Sequence, residues 1–189
     1  MQNGNNIINK PIINSVDGRF IGQVKGLFLD PQITQLVGVN LGSEGLFSSY
    51  FKMIRHEKIT MFGISALFVD EKDIILDDSD VPELAGWLKR SDLKGRKIDT
   101  QGGTKIGEVD DILFDMTGQI LGFNFGKLYV QGTLARNNYI SRDSVVEVLT
   151  TEGIMTIDLA IAERQKLGDT TQQKANDVIF DKPSSEATL

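Results

Sequence analysis

Residues 106–122, IGEVDDILFDMTGQILG, restate residues 21–38, IGQVKGLFLDPQITQLVG, at an offset of 85 (106 − 21). Both copies read I-G-x-V-x-x, then three apolar residues and an Asp. A turn follows in each, and then an apolar pair closed by glycine: Leu36-Val37-Gly38 and Ile120-Leu121-Gly122. A pattern that continues through a turn into a second apolar run describes a strand-turn-strand unit used twice. It constrains the architecture strongly and names no substrate.

The rest of each copy fits the same program. Pro11-Ile12-Ile13 is an edge-type strand, because proline cannot donate to a ladder. Asp17-Gly18 turns the chain into Phe20-Ile21-Gly22, and residues 24–30 continue as a strand. Leu27-Phe28-Leu29 breaks strict alternation, which means either cover on both faces or a bulge. Residues 36–41 and 50–54 are strands around a Gly- and Ser-rich hairpin, GSEGLFSS, and residues 66–70 close the unit. In the second copy Ile98, Gln101-Gly102-Gly103, residues 109–115, residues 120–125, Ile140 and residues 153–157 take the same places. Residues 126–138 are expected to form the counterpart hairpin.

Between the copies, residues 71–92 form an acidic linker. Pro82, Glu83 and Lys89-Arg90 carry the end signals of a short helix whose face holds Leu84, Trp87 and Leu88. Residues 158–168 carry the signals of a C-terminal helix, and the polar remainder is expected to be disordered. At 189 residues and 40% apolar, the chain can supply two modest cores. A domain of about 70 residues is marginal alone, so packing of one on the other is expected.

Several classes are excluded. With no cysteine there is no disulfide, thiolate metal site or cysteine nucleophile. The opening MQNGNNIINK is not a secretory signal, and no apolar run reaches the roughly 20 residues that span a bilayer. The expectation is a cytoplasmic protein without a membrane span. A net charge of −6 disfavours non-specific contact with phosphate backbones.

With both copies laid out, the sequence resembles the PRC-barrel family, on the opening strand, the Asp/Gly turn, I-G-x-V and the Asp-containing turn, as in residues 102–118. That family includes the cytoplasmic part of the photosynthetic reaction-centre H subunit and the last domain of a ribosome maturation factor. The resemblance implies an all-β fold of two tandem small antiparallel PRC-type barrels, over residues 8–70 and 93–158. It also implies work by docking onto another macromolecule, without catalysis or a cofactor.

The residues agree with that reading. His56, the only histidine, reads as an exposed polar residue of a connection, without the partners of a triad or zinc site. The acidic run 70–80 lacks EF-hand spacing, and Glu108, Asp110 and Asp111 read as surface strand residues. Residues 102–107, GGTKIG, lack the G-K-[ST] ending of a phosphate loop and open a strand. The apolar hairpins are the candidate interaction surface: Leu46, Phe47, Tyr50 and Phe51 in the first copy, Tyr129, Val130 and Leu134 in the second. They pack barrel on barrel or meet a partner, which is another protein or a second copy of the chain. Lys89, Arg90, Lys94, Arg96 and Lys97 form a candidate basic cluster, with only Trp87 near it for base stacking. It supports a lesser reading as an RNA- or ribosome-associated factor; a small-molecule binder using a cleft between the barrels is a third.

Overall fold

The computed structural model describes residues 1–43, 51–150 and 152–164. The first half contributes β1 (Gln2–Asn3), β2 (Pro11–Asn14), β3 (Phe20–Gln23), β4 (Gly26–Leu29), β5 (Leu36–Ser43), β6 (Phe51–Arg55), β7 (Met61–Phe62) and β8 (Leu67–Val69). The linker holds β9 (Leu76–Asp77) and β10 (Leu88–Lys89). The second half runs β11 (Lys97–Thr100), β12 (Lys105–Phe114), β13 (Ile120–Leu128), α1 (Thr133–Asn137), β14 (Tyr139–Ser141), β15 (Val145–Glu147), β16 (Met155–Ile157) and α2 (Leu159–Arg164). The expected all-β character holds, with two short α-helices among the described residues.

The two halves share their strand register pair by pair. In β2–β3, Ile12 faces Gly22 and Ile13 faces Phe20; in β11–β12, Ile98 faces Gly107 and Asp99 faces Lys105. Each pairing skips one residue, Ile21 or Ile106, so the repeated Ile of I-G is a bulge that deepens the local twist. Both it and its neighbour can then serve the core. The parallel pairs also correspond: Ile12 lies opposite Leu67, as Ile98 lies opposite Met155. A second shared shift falls between Phe28 and Leu29 and between Leu113 and Phe114. The triplet Leu27-Phe28-Leu29 therefore has both a bulge and burial on both faces.

The halves are tied together by an exchange. β1, at the start of the first half, pairs with β12 of the second through Gln2–Phe114 and Asn3–Leu113. β10, which precedes the second, pairs with β4 of the first through Leu88–Leu29 and Lys89–Phe28. Gln35 and Gln119, equivalent residues, bridge each other in antiparallel fashion. On either side Leu36 N–H donates to Gly118 O (2.8 Å) and Ile120 N–H to Thr34 O (2.9 Å). These contacts map onto themselves when the halves are interchanged. One apolar core results, running from Ile12, Leu27 and Leu36 to Ile98, Ile112 and Phe123. Mutual packing thus gives each small half the burial it lacks alone.

Expectation and structure differ in three places. Two closed barrels were expected, but the described strands form seven-, five- and four-stranded sheets, none closed on itself. At Val24 the chain changes partner: Val24 N–H bonds to Lys10 O (3.0 Å) and Lys25 N–H to Asn40 O (2.7 Å), so β3 and β4 join different sheets. In the second half β13 continues to Leu128 and pairs with Gly107 and Glu108, which keeps β12 in one sheet. The linker helix is instead a 3-10 turn, Pro82–Gly86, followed by β10. Five residues ending in glycine are too few to nucleate an α-helix, and pairing with β4 claims Leu88. Leu84 and Trp87 still dock, packing with Val81 on Phe28 and Met53. Finally, residues 126–138 hold α1 where a hairpin was expected. Gly132 precedes it at φ 96°, and left-handed Asn138 stops it, its N–H bonded to Leu134 O (2.9 Å). The expected C-terminal helix begins as α2; the remainder of the tail lies outside the described residues.

Candidate functional site

The expected interaction surface separates into several environments. Leu46, Phe47 and Tyr50 lie outside the described residues. Phe51, at the start of β6, is half-buried, and the Lys89 ammonium sits 4.7 Å from its ring centroid. This cation–π pair opens a shallow groove of about 370 Å³ floored by Val81 and Trp87, with Asp78 at its rim. In the second half Tyr129 is 54% exposed, whereas Val130 packs partly against the core. Leu134 is buried to 1%, so it belongs to the core side of α1 and offers nothing to a partner. Tyr129 faces a groove of about 250 Å³ with Lys97, Asp99 and Lys105. Its hydroxyl donates to Glu108 Oε1 (2.6 Å), which holds that carboxyl below its usual range, with Lys127 adding to the effect. The same bond pushes the Tyr129 phenol upward. The Phe51 ring thus lies beside Lys89, and the Tyr129 ring shares its groove with Lys97 and Lys105.

The expected basic cluster is dispersed by partners. Arg90 Nε lies 2.5 Å from Asp111 Oδ1, with the two side chains 13% and 0% exposed. Asp111 also accepts the N–H groups of Asn5 (2.6 Å) and Ile112 (2.8 Å), and Arg90 Nη2 donates to Asn5 Oδ1 (2.5 Å). Asp111 is thus a buried anchor of the exchanged strand β1, and the surface role expected for it is corrected. Lys94 pairs with Asp110 at 3.0 Å. Arg96 is half-buried; burial pulls its guanidinium below the usual range, against the pull of Asp92, and it donates to Val148 O and Asp92 O (both 3.3 Å). Trp87 packs tilted against Phe28 with ring centroids 6.1 Å apart, and the Arg55 guanidinium lies over its ring at 5.8 Å.

At the junction of the halves, equivalent residues reach across to opposite turns. Arg142 donates to Ile33 O (2.8 Å) and Gln32 O (2.7 Å) of the first half, and burial lowers its pKa. Ile33 occupies the left-handed region at φ 51°, where the second half has Gly118 at φ 80°. For a branched residue that conformation costs about 1–3 kcal/mol, offset by complete burial of its side chain. His56, the counterpart of Arg142 (142 − 86), lies against Gly118 and stacks on Phe62 at 5.6 Å. Its Nε2 is buried with no partner among the described residues, so the expected solvent-exposed role is corrected. Burial lowers the His56 pKa, opposed by Asp115 and Glu57. The neutral ring is favoured by the fold, so its contribution is whole above pH about 6.5 and is lost as pH falls through the depressed folded value. Thermal unfolding of His56→Gln against the parent between pH 5 and 8 is expected to show the parent losing more stability on acidification.

Residues 88–160 match the model of the PRC-barrel domain. The chain carries a PRC-barrel domain. The match begins at β10, the exchanged strand, and ends in α2. No curated protein matches the chain by sequence. PRC-barrel domains are small β modules often used in protein interaction, and they are generally non-catalytic. Among the described residues no group of three or more His, Cys, Asp or Glu could hold a metal, and no helix is long and apolar enough to cross a membrane.

Proposed function

We propose that this chain is a non-enzymatic adaptor whose two tandem PRC-type modules, over residues 8–70 and 93–158, present ring-and-lysine grooves to a protein partner. The observation that carries the reading is the exposed Tyr129 beside Lys97 and Lys105, on a domain of a family often used in protein interaction. Aromatic residues are the usual anchors of such contacts, and lysine at the rim steers an acidic partner. The matched registers and the β1/β10 exchange support a rigid presentation of two related surfaces. A ribosome-associated role needs free cations, and Arg90, Lys94 and Arg96 are each engaged.

Affinity capture with mass spectrometry tests the proposal, with Phe47→Asp and Tyr129→Asp as controls. The parent chain is expected to retain a stoichiometric protein partner, and at least one variant to lose tenfold or more of it. Recovery of no partner, together with a monomeric mass in solution, refutes the reading.

A further inference from the structure

The internal correspondence of the two halves exposes a site in one of them. In the second half the Asp111 carboxylate lies in a socket made by the Asn5 N–H, the Ile112 N–H and Arg90. Asp111 precedes Ile112, and its strand lies opposite Asn124 of β13. The equivalent of Asp111 is Gly26 (111 − 85), which lies opposite Asn40, the equivalent of Asn124 (124 − 84). Asn5 corresponds to Ser91 (5 + 86). At the place where the second half carries a carboxylate, the first half carries only hydrogen.

That place is a cavity. It holds about 160 Å³ and is lined by Lys25, Gly26, Asn40, Lys89, Arg90 and Ser91 with an apolar wall that includes Phe28. Among the described residues no carboxylate lines it. Lys25 stands where the second half has Asp110, so the charge of the rim is reversed between the two copies. Lys25 and Lys89 beside an apolar-backed hollow of this size, with hydroxyl and amide groups between them and Arg90 already paired with Asp111, favour a compact anion over water.

We propose that the Gly26 cavity is a carboxylate-binding socket, at the place in the first half that corresponds to the Asp111 carboxylate. The carboxylate comes either from a small free acid or from an acidic side chain of a partner protein. In both cases it takes the position of the Asp111 carboxylate, between Lys25, Lys89 and Ser91. The inference does not rest on the Tyr129 groove, which shares no lining residue with this cavity among the described residues; Lys89 lines both this cavity and the Phe51 groove.

Gly26→Asp supplies the carboxylate from within. A Cβ at this position meets Asn40 Cβ at 3.5 Å, an ordinary contact, so the side chain can be accommodated. The full chain is titrated at constant ionic strength with acetate and with end-blocked aspartate, following amide shifts in NMR against a chloride control. Saturable shifts at Gly26, Leu27, Asn40 and Ser91 are expected, reduced at least tenfold in affinity by Gly26→Asp. End-blocked aspartate binding tenfold tighter than acetate assigns the socket to a partner's side chain; equal or weaker binding assigns it to a free acid. Gly26→Asp is also expected to unfold at a higher temperature than Gly26→Asn, with the difference shrinking as salt rises. Shifts no different from those with chloride, or Gly26→Asn as stable as Gly26→Asp at low salt, overturn the proposal.

Discussion

Asp111→Ala is expected to destabilise the fold by about 3–5 kcal/mol, the loss typical of removing one partner from a buried ion pair. The carboxylate has no exposed surface, and Arg90 is 13% exposed at the side chain. Without Asp111 the guanidinium keeps its burial and loses its counter-charge, while the Asn5 and Ile112 N–H groups lose an acceptor. The damage is directed, because Asn5 lies two residues past the end of β1 and Arg90 follows β10 directly. The same side chain therefore holds both exchanged segments. Limited proteolysis is expected to release residues 1–6 from the variant before the rest of the chain is cut. In thermal unfolding, a loss of that size lowers Tm by roughly 10 °C for a chain of this length. Adding Arg90→Met to Asp111→Ala is expected to return part of the loss, since no uncompensated charge then stays buried. A single variant that costs less than about 1 kcal/mol contradicts the account, because an exposed pair has about that value.

The repeat carried the pairing scheme into view before any coordinates did. Residues 21–38 and 106–122 occupy matching registers down to the bulge at Ile21 and Ile106, since alternation and turn chemistry are local properties. The exchange of β1 and β10 was not legible. Gln2-Asn3 and Leu88-Lys89 are two residues each, too short for any period, and their partners lie 112 (114 − 2) and 59 (88 − 29) residues away. Asp111 reads as a surface residue because charge is usually exposed. Only its place between inward-facing Val109 and Leu113 could have hinted otherwise, and bulges on both sides of Val109 blur that alternation. His56 and Arg142 share a place in the repeat but differ in chemistry, and each acquires its role from a turn in the opposite half. That information is tertiary. α1 was legible in part: Gly132 before residues 133–137 and Asn138 after them carry the start and stop chemistry of a helix, which the expectation of a second hairpin obscured.

The same dependence on tertiary surroundings separates two glycines that the sequence presents as identical. Gly38 and Gly122 both close the apolar pair after the turn, and both face β-ladder partners, Arg55 and Ser141. A Cβ at Gly122 falls on the Ile140 carbonyl oxygen, closer than real Cβ atoms come to anything, and 3.1 Å from the carbon of that carbonyl. The obstacle is backbone fixed in the β13–β14 ladder, so relief requires prising that pair apart. At Gly38 the nearest atom is Met53 Cε at 2.6 Å, the end of a flexible side chain, and the backbone oxygen of Ile54 stands off at 3.3 Å. Gly122→Ala is therefore expected to cost about 3 kcal/mol, at the high end for overpacking, and Gly38→Ala about 1 kcal/mol, because methionine readily adopts another rotamer. Urea unfolding of the two variants beside the parent reads the difference as a larger fall in midpoint for Gly122→Ala. Equal midpoints would mean that β14 yields as easily as a methionine methyl. Its three ladder pairs with β13 and the Ser144 Oγ bond to Ser141 O (2.7 Å) argue against that.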